Sequence, residues 1–105
     1  GVTMPRPQAV PTVQDDNEFT RVIEWRFAPG AETGWHIHEY AYVVVPMLDG
    51  TLQIEMRNGD EMTSQLSHGV SYSREAGADH NVINASDHEF YFVEVEFKDR
   101  PLRKD

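Results

Sequence analysis

Along most of this chain, apolar and polar residues alternate with a period of two. Phe19, Arg21, Ile23, Trp25 and Phe27 alternate against Thr20, Val22, Glu24 and Arg26. Tyr91, Val93, Val95 and Phe97 alternate against Phe92, Glu94 and Glu96, the pattern of a half-buried strand. Thr51–Arg57 and Asp60–Leu66 flank Asn58-Gly59, a hairpin signal in which both turn residues take positive φ. Pro29-Gly30, Asp49-Gly50, His68-Gly69 and Gly77 punctuate the rest, and no stretch carries an apolar helical stripe. The pattern predicts an all-β sandwich or barrel without internal repeats.

The two ends depart from it. Residues 1–17 carry Pro5, Pro7 and Pro11 and close on Gln14-Asp15-Asp16-Asn17, which reads as an extended arm because each proline fixes φ and removes a donor. Residues 18–98 form the expected barrel, and residues 99–105, with Pro101, a loose polar tail.

Composition narrows the functional classes. A chain of 105 residues is the size of one domain. The absence of cysteine excludes a disulfide scaffold, a cysteine-based zinc site, an iron–sulfur cluster and a thiol nucleophile. Nine basic against eighteen acidic residues give a net charge of −9, which repels nucleic acid and anionic membranes, so neither is an expected partner. Eleven aromatic residues argue against disorder. No apolar run approaches the roughly 20 residues of a membrane span, and the first residues lack a signal peptide's apolar core. The expected location is cytoplasmic.

The candidate chemistry lies in the histidines at 36, 38, 68, 80 and 88. His36 and His38 are two apart in a predicted strand, so both imidazoles face one side, as a shared metal ion requires. His80, just after Gly77, is the candidate third ligand. His68 and His88 sit in hydrophilic corners and read as solvated. No phosphate-binding glycine loop, His-Glu-x-x-His helix or Gly-x-Ser-x-Gly elbow is present.

These spacings resemble the cupins over residues 27–97. Gly30, five residues, His36-Ile37-His38 and a later Asp49-Gly50 are similar to the first cupin motif. Gly69, five residues, Glu75-Ala76-Gly77, two residues, His80, three residues and Asn84 match the second, with Glu75 in place of its proline. The stretches from Gly34-Trp35-His36 to Val43-Val44-Val45-Pro46 also look like small single-domain cupins of the β-alanine degradation type. The resemblance implies a double-stranded β-helix, or jelly-roll barrel, with His36, His38 and His80 holding a divalent ion. Imidazole ligands leave iron, zinc, nickel and manganese open. Together with the apolar Val10 and Val13 of the arm, it also implies a homodimer in which residues 4–13 lie across the partner barrel.

The usual cupin glutamate after the histidine pair is missing. Tyr42 takes its place in phase with both histidines, with Pro46 marking a bulge that absorbs one extra residue. Glu39 is out of phase and points outward, unless a bulge at Tyr40 turns it in as a fourth ligand. Three neutral imidazoles leave a divalent ion at +2, which favours a small anionic substrate, a carboxylate or an enolate. Three-histidine cupins include iron-dependent dioxygenases. Arg74 stands at a position similar to inward ones in cupins, where it would anchor a carboxylate; the alternative is a surface arginine paired with Glu75. Trp35 and Tyr40 read as core aromatics or as pocket walls. Three functions follow: a dioxygenase-like enzyme with Tyr42 and Arg74 as catalytic groups, a metal-dependent lyase or isomerase of a small acid, and a non-catalytic metal and metabolite-binding module.

Overall fold

The period of two is realised as nine strands and no helix among residues 5–103, which the computed structural model describes. In chain order they are β1 (Val10–Asp16), β2 (Thr20–Phe27), β3 (His36–Ile37), β4 (Tyr40–Pro46), β5 (Gly50–Met56), β6 (Glu61–Leu66), β7 (Tyr72–Arg74), β8 (Asp79–Asn84) and β9 (Phe90–Pro101). A five-stranded sheet runs β1-β2-β9-β4-β7 and a four-stranded sheet β3-β8-β5-β6. All neighbouring strands within the sheets are antiparallel. The all-β expectation holds. None of the described residues forms a helix long and apolar enough to cross a membrane.

The inner faces of the two sheets enclose one apolar core, and its densest part is aromatic. Phe27 and Phe90 face each other across the β2–β9 ladder, and both are fully buried. Phe92 packs on Phe27 with ring centroids 5.6 Å apart. Each such ring contributes roughly 2–3 kcal/mol by leaving water. Asn84 ends β8 beside them. Its amide donates to the carbonyls of Phe27, Ala28 and His88, and its Oδ1 accepts from the Ser86 N–H. A buried amide costs stability unless satisfied, and this one ties three segments together. His80 stands four residues earlier on β8, about 13 Å away along the strand. Aromatic rings therefore fill one end of the barrel, and histidines face the other.

Several local expectations change. Only Gly59 of the Asn58-Gly59 pair takes positive φ. The Gly59 N–H bonds the Met56 carbonyl and the Asp60 N–H bonds the Asn58 side chain, so the turn is a wider one closed by a left-handed glycine. β9 continues through Pro101, whose strand partner is Tyr40, so residues 99–101 extend the sheet. The proline-bearing segment is extended, and from Val10 to Asp16 it pairs with the chain's own β2. Ahead of it Ala9 is buried, its N–H bonded to the Glu32 carbonyl. Residues 1–4 of the arm and 104–105 of the tail lie outside the described residues.

The alternation of β9 has the opposite sense to its hydrophobicity. Phe90, Phe92, Glu94 and Glu96 are buried, whereas Tyr91, Val93, Val95 and Phe97 are only half-buried. The two phenylalanines lock the phase, and with a period of two the glutamates must follow them inward.

The aromatic end supplies a stability test. A side-chain carbon at Gly50 would run into the buried ring of Phe90. Gly50→Ala is expected to cost about 1–3 kcal/mol through overpacking. Thermal unfolding should show a drop of roughly 4–8 °C per kcal/mol.

Candidate metal centre

His36 and His80 are direct partners across the β3–β8 ladder. β3 is too short to hold itself, and side chains and loop backbone do the work. The Gly34 N–H donates to Asn81 Oδ1 on β8, and the Thr33 N–H donates to the Val82 carbonyl. His38 lies just past β3. Its N–H bonds the Ala78 carbonyl and its carbonyl accepts from the Gly77 N–H, which fastens it to the turn before His80. The Asn81 amide donates to Glu32 and Glu55. The segment from residue 31 to 38 is thus laced to β8 at several points.

The imidazoles converge. His36 Nε2 lies 3.0 Å from His38 Nε2, and His38 Nε2 lies 3.1 Å from His80 Nε2. His36 Nδ1 is 2.9 Å from the Gly34 carbonyl, which can only accept. Nδ1 therefore carries the proton, and the Nε2 lone pair points into the cluster. Burial, reinforced by the neighbouring histidines, lowers the His38 pKa to about 3, and burial lowers that of His80 to about 4. Both are neutral at physiological pH, the form that binds metal.

These residues fit a metal ion. Ligand nitrogens about 2.1 Å from a common ion at right angles would be about 3.0 Å apart. The His36–His38 and His38–His80 separations match that spacing, and the ligating atoms of all three histidines lie within 4.8 Å of one another. Among the described residues no carboxylate joins this cluster.

Tyr42 is buried and stacks on the His38 ring, with centroids 4.0 Å apart and planes 19° from parallel. Its parity is the expected one, on the same inner face, and burial pushes its phenol upward, so it keeps its proton. Glu39 is exposed. The strand irregularity falls between Tyr40 and Ala41 rather than at Pro46, yet it does not turn Glu39 inward. Arg74 is the cross-strand partner of Tyr42 and lines the inner cavity beside it. Its guanidinium reaches the surface over the Tyr72 ring and makes no ion pair among the described residues, while Glu75 lies near Arg100 instead. Trp35 is neither core nor pocket wall, because it is 46% exposed beneath the Arg57 guanidinium. Tyr40 lines a groove beside the histidines. His68 and His88 are exposed and remote from the cluster.

Two wall residues escape a reading of the sequence alone. Trp25 lies parallel to the His36 ring, with centroids 6.4 Å apart and planes 17° apart. Glu94 is 5% exposed and lines both the inner cavity and the adjoining groove. Burial, followed by the nearby Glu96, raises its pKa to about 7, against a hydrogen bond from Trp25. The available signal was the phase of Phe90 and Phe92. The inner cavity has a volume of about 180 Å³ and is otherwise walled mostly by apolar side chains such as Val44, Ile54 and Val82.

Two antiparallel sheets enclosing three convergent histidines that could hold a metal ion define a β-barrel class with a candidate site inside, and residues 23–96 match the family described as the cupin domain. The chain belongs to the cupin family. It is 61% identical over 93 residues to the "Beta-alanine degradation protein BauB" of Pseudomonas aeruginosa, covering 89% of this chain and 97% of that protein. A cupin domain from Bordetella pertussis Tohama I is 60% identical and superposes with a TM-score of 0.88, covering 91% of this chain and 99% of the other. An RmlC-like cupin from Methanocaldococcus jannaschii, described as a double-stranded β-helix, shares the fold at 9% identity, with a TM-score of 0.71 over 92% of this chain and 86% of that one. The jelly-roll expectation holds.

The site yields two expected outcomes. His80→Ala should lose bound divalent metal by elemental analysis while keeping a β-type circular dichroism spectrum, and His68→Ala and His88→Ala should retain the metal. The second concerns pH in the metal-free protein. His38 and His80 sit below their ordinary 6.5 in the folded chain, so acid protonates the unfolded chain first and stability falls as pH drops from 6.5 through 4. Glu94 sits above its ordinary 4.5, so its contribution is full below 4.5 and lost as pH rises through 7. Glu94→Gln removes that compensation. Urea unfolding should show the variant losing about 2–3 kcal/mol more than the parent between the neutral and acid limits; equal losses would contradict a buried, proton-binding Glu94.

Proposed function

We propose that this protein is a metal-dependent enzyme acting on a small carboxylic acid inside the barrel. The observation that carries the reading is the convergence of three imidazoles on the wall of a small cavity, with no carboxylate in the cluster among the described residues. A divalent ion bound there would supply Lewis acidity and exchangeable positions for substrate. The site would keep a charge near +2, which attracts anions.

The chain's own residues set what fits. A cavity of about 180 Å³ is on the scale of the roughly 150 Å³ that holds a benzene-sized ligand, so the substrate has only a few carbon atoms. Arg74, at the cavity rim without an acidic partner among the described residues, suits a substrate carboxylate. The Tyr42 phenol stays protonated beside His38 and serves as a hydrogen-bond or proton donor to the substrate. Trp25 and the apolar wall exclude water from the reacting group. The name of the Pseudomonas relative supports the same size class, since breakdown of a three-carbon amino acid yields small carboxylates.

The test is turnover of short-chain carboxylic acids by protein reconstituted with iron, zinc, nickel or manganese in turn. Tyr42→Phe should retain the metal and lower kcat by about 10–100-fold, the scale of a positioned proton donor. Arg74→Ala should chiefly raise KM. Oxygen consumption in the assay assigns the chemistry to a dioxygenase, and turnover without it to a lyase or isomerase. Saturable acid binding without turnover under any metal would make the barrel a non-catalytic module and overturn the enzyme reading.

A further inference from the structure

Among the described residues, Glu94 is the sole carboxylate lining the inner cavity. A buried acid costs stability unless a cation pairs with it, and among the described residues Glu94 makes no ion pair. Arg21 stands opposite Glu96 instead, and the cross-strand neighbours of Glu94 are the apolar Ile23 and Val44. The register shows what surrounds it. Trp25 pairs with Phe92 and Tyr42 with Glu96, so Trp25 and Tyr42 flank Glu94 on opposite diagonals, about 7–8 Å away and within side-chain reach. Trp25 lies parallel to the His36 ring, and Tyr42 stacks on that of His38. Glu94 thus stands between the two side chains that cover these histidines. Across the same sheet face the order is Glu94 on β9, Tyr42 on β4 and Arg74 on β7.

We propose that Glu94 is the catalytic base of the cavity and that the substrate is a short 2-oxo acid. The proposal rests on the cavity being the site of a small carboxylic acid. Arg74, Tyr42 and Glu94 present a cation, a hydrogen-bond donor and a proton acceptor, in that order. A 2-oxo acid carries the matching carboxylate, carbonyl oxygen and acidic C–H in the same order. The C3–H bond breaks and its proton passes to a Glu94 carboxylate oxygen. The electron pair moves onto the carbonyl oxygen, which accepts a hydrogen bond from Tyr42. Return of the proton to carbon regenerates Glu94. The adjoining groove, which Glu94 also lines, opens the protonated acid to exchange with water. The ionisable groups near Glu94 are Glu96 on its own strand, Arg21 on β2, Tyr42 on β4 and Tyr72 on β7, with His36 and His38 lining the same cavity. Burial first, then Glu96, holds the Glu94 pKa at about 7, so acid and carboxylate coexist near neutrality while Tyr42 stays protonated. Such a separation marks an acid and base pair.

Proton NMR in deuterium oxide tests the proposal, with 2-oxobutanoate as the probe and protein carrying iron, zinc, nickel or manganese in turn. The C3 protons should exchange faster with the wild-type protein than without it. Glu94→Gln should cut that rate by about 100–10,000-fold and Glu94→Asp by less, both at unchanged metal content. Metal-free Glu94→Gln should also unfold at no lower temperature than the parent at neutral pH, since no ion pair is lost. Exchange that persists in Glu94→Gln, or none by the wild type under any metal, would overturn the proposal. Turnover of other carboxylic acids would then leave the wider reading of the cavity standing. Lost metal or a lower unfolding temperature in Glu94→Gln would make Glu94 a structural residue and overturn the proposal equally.

Discussion

The molecule is organised around the pairing of His36 with His80 between β3 and β8. His38 Nε2 lies about 3 Å from the Nε2 atoms of both His36 and His80, an approach that disfavours charge on His38 and His80 in a partly buried site. Neutrality comes from burial, and burial comes from folding the segment around residues 31–38 onto β8. The polar ties of Asn81, the backbone bonds of Thr33 and His38, and the stacking of Tyr42 and Trp25 all serve that placement. Loss of the β3–β8 register by one residue would turn His36 to the outside and dissolve the cluster.

The aromatic end does complementary work. Phe27, Phe90 and Phe92 set the phase of β2 and β9 against each other, and Asn84 fixes the end of β8 to the same region. Because a strand alternates strictly, the phase chosen by the phenylalanines decides which side chains arrive at the histidine end. It delivers Trp25 from β2 and Glu94 from β9. The same choice sends Val93, Val95 and Phe97 outward. One packing decision thus shapes both the chemistry inside and the apolar surface outside.

The electrostatics of the interior follow from its low polarity. His38 and His80 are pushed toward neutrality and Glu94 toward its protonated form, each by loss of water around the charged state. In so apolar an interior a divalent cation held by the histidines would be the strongest local charge, with Arg74 at the cavity rim.

The fold class and the histidine set were legible in the chain because both rest on local rules. Alternation of period two marks strands wherever it occurs. The spacing of His36-Ile37-His38 and of Gly77, His80 and Asn84 carries the cupin pattern without reference to what surrounds it. The parity of Tyr42 followed from the same alternation, although the irregularity that preserves it lies at Tyr40 and Ala41 and not at Pro46. The partner of residues 10–16, the continuation of β9 through Pro101, the exposure of Trp35 and the inward turn of Glu94 were not legible. Each depends on a choice between two faces or two partners that are equivalent along the chain. Hydrophobicity alone would have turned Val93 and Val95 inward, and only the buried phenylalanines, packed against β2, reverse them. The chain determined which side chains share a face; the tertiary packing decided which face is the inside.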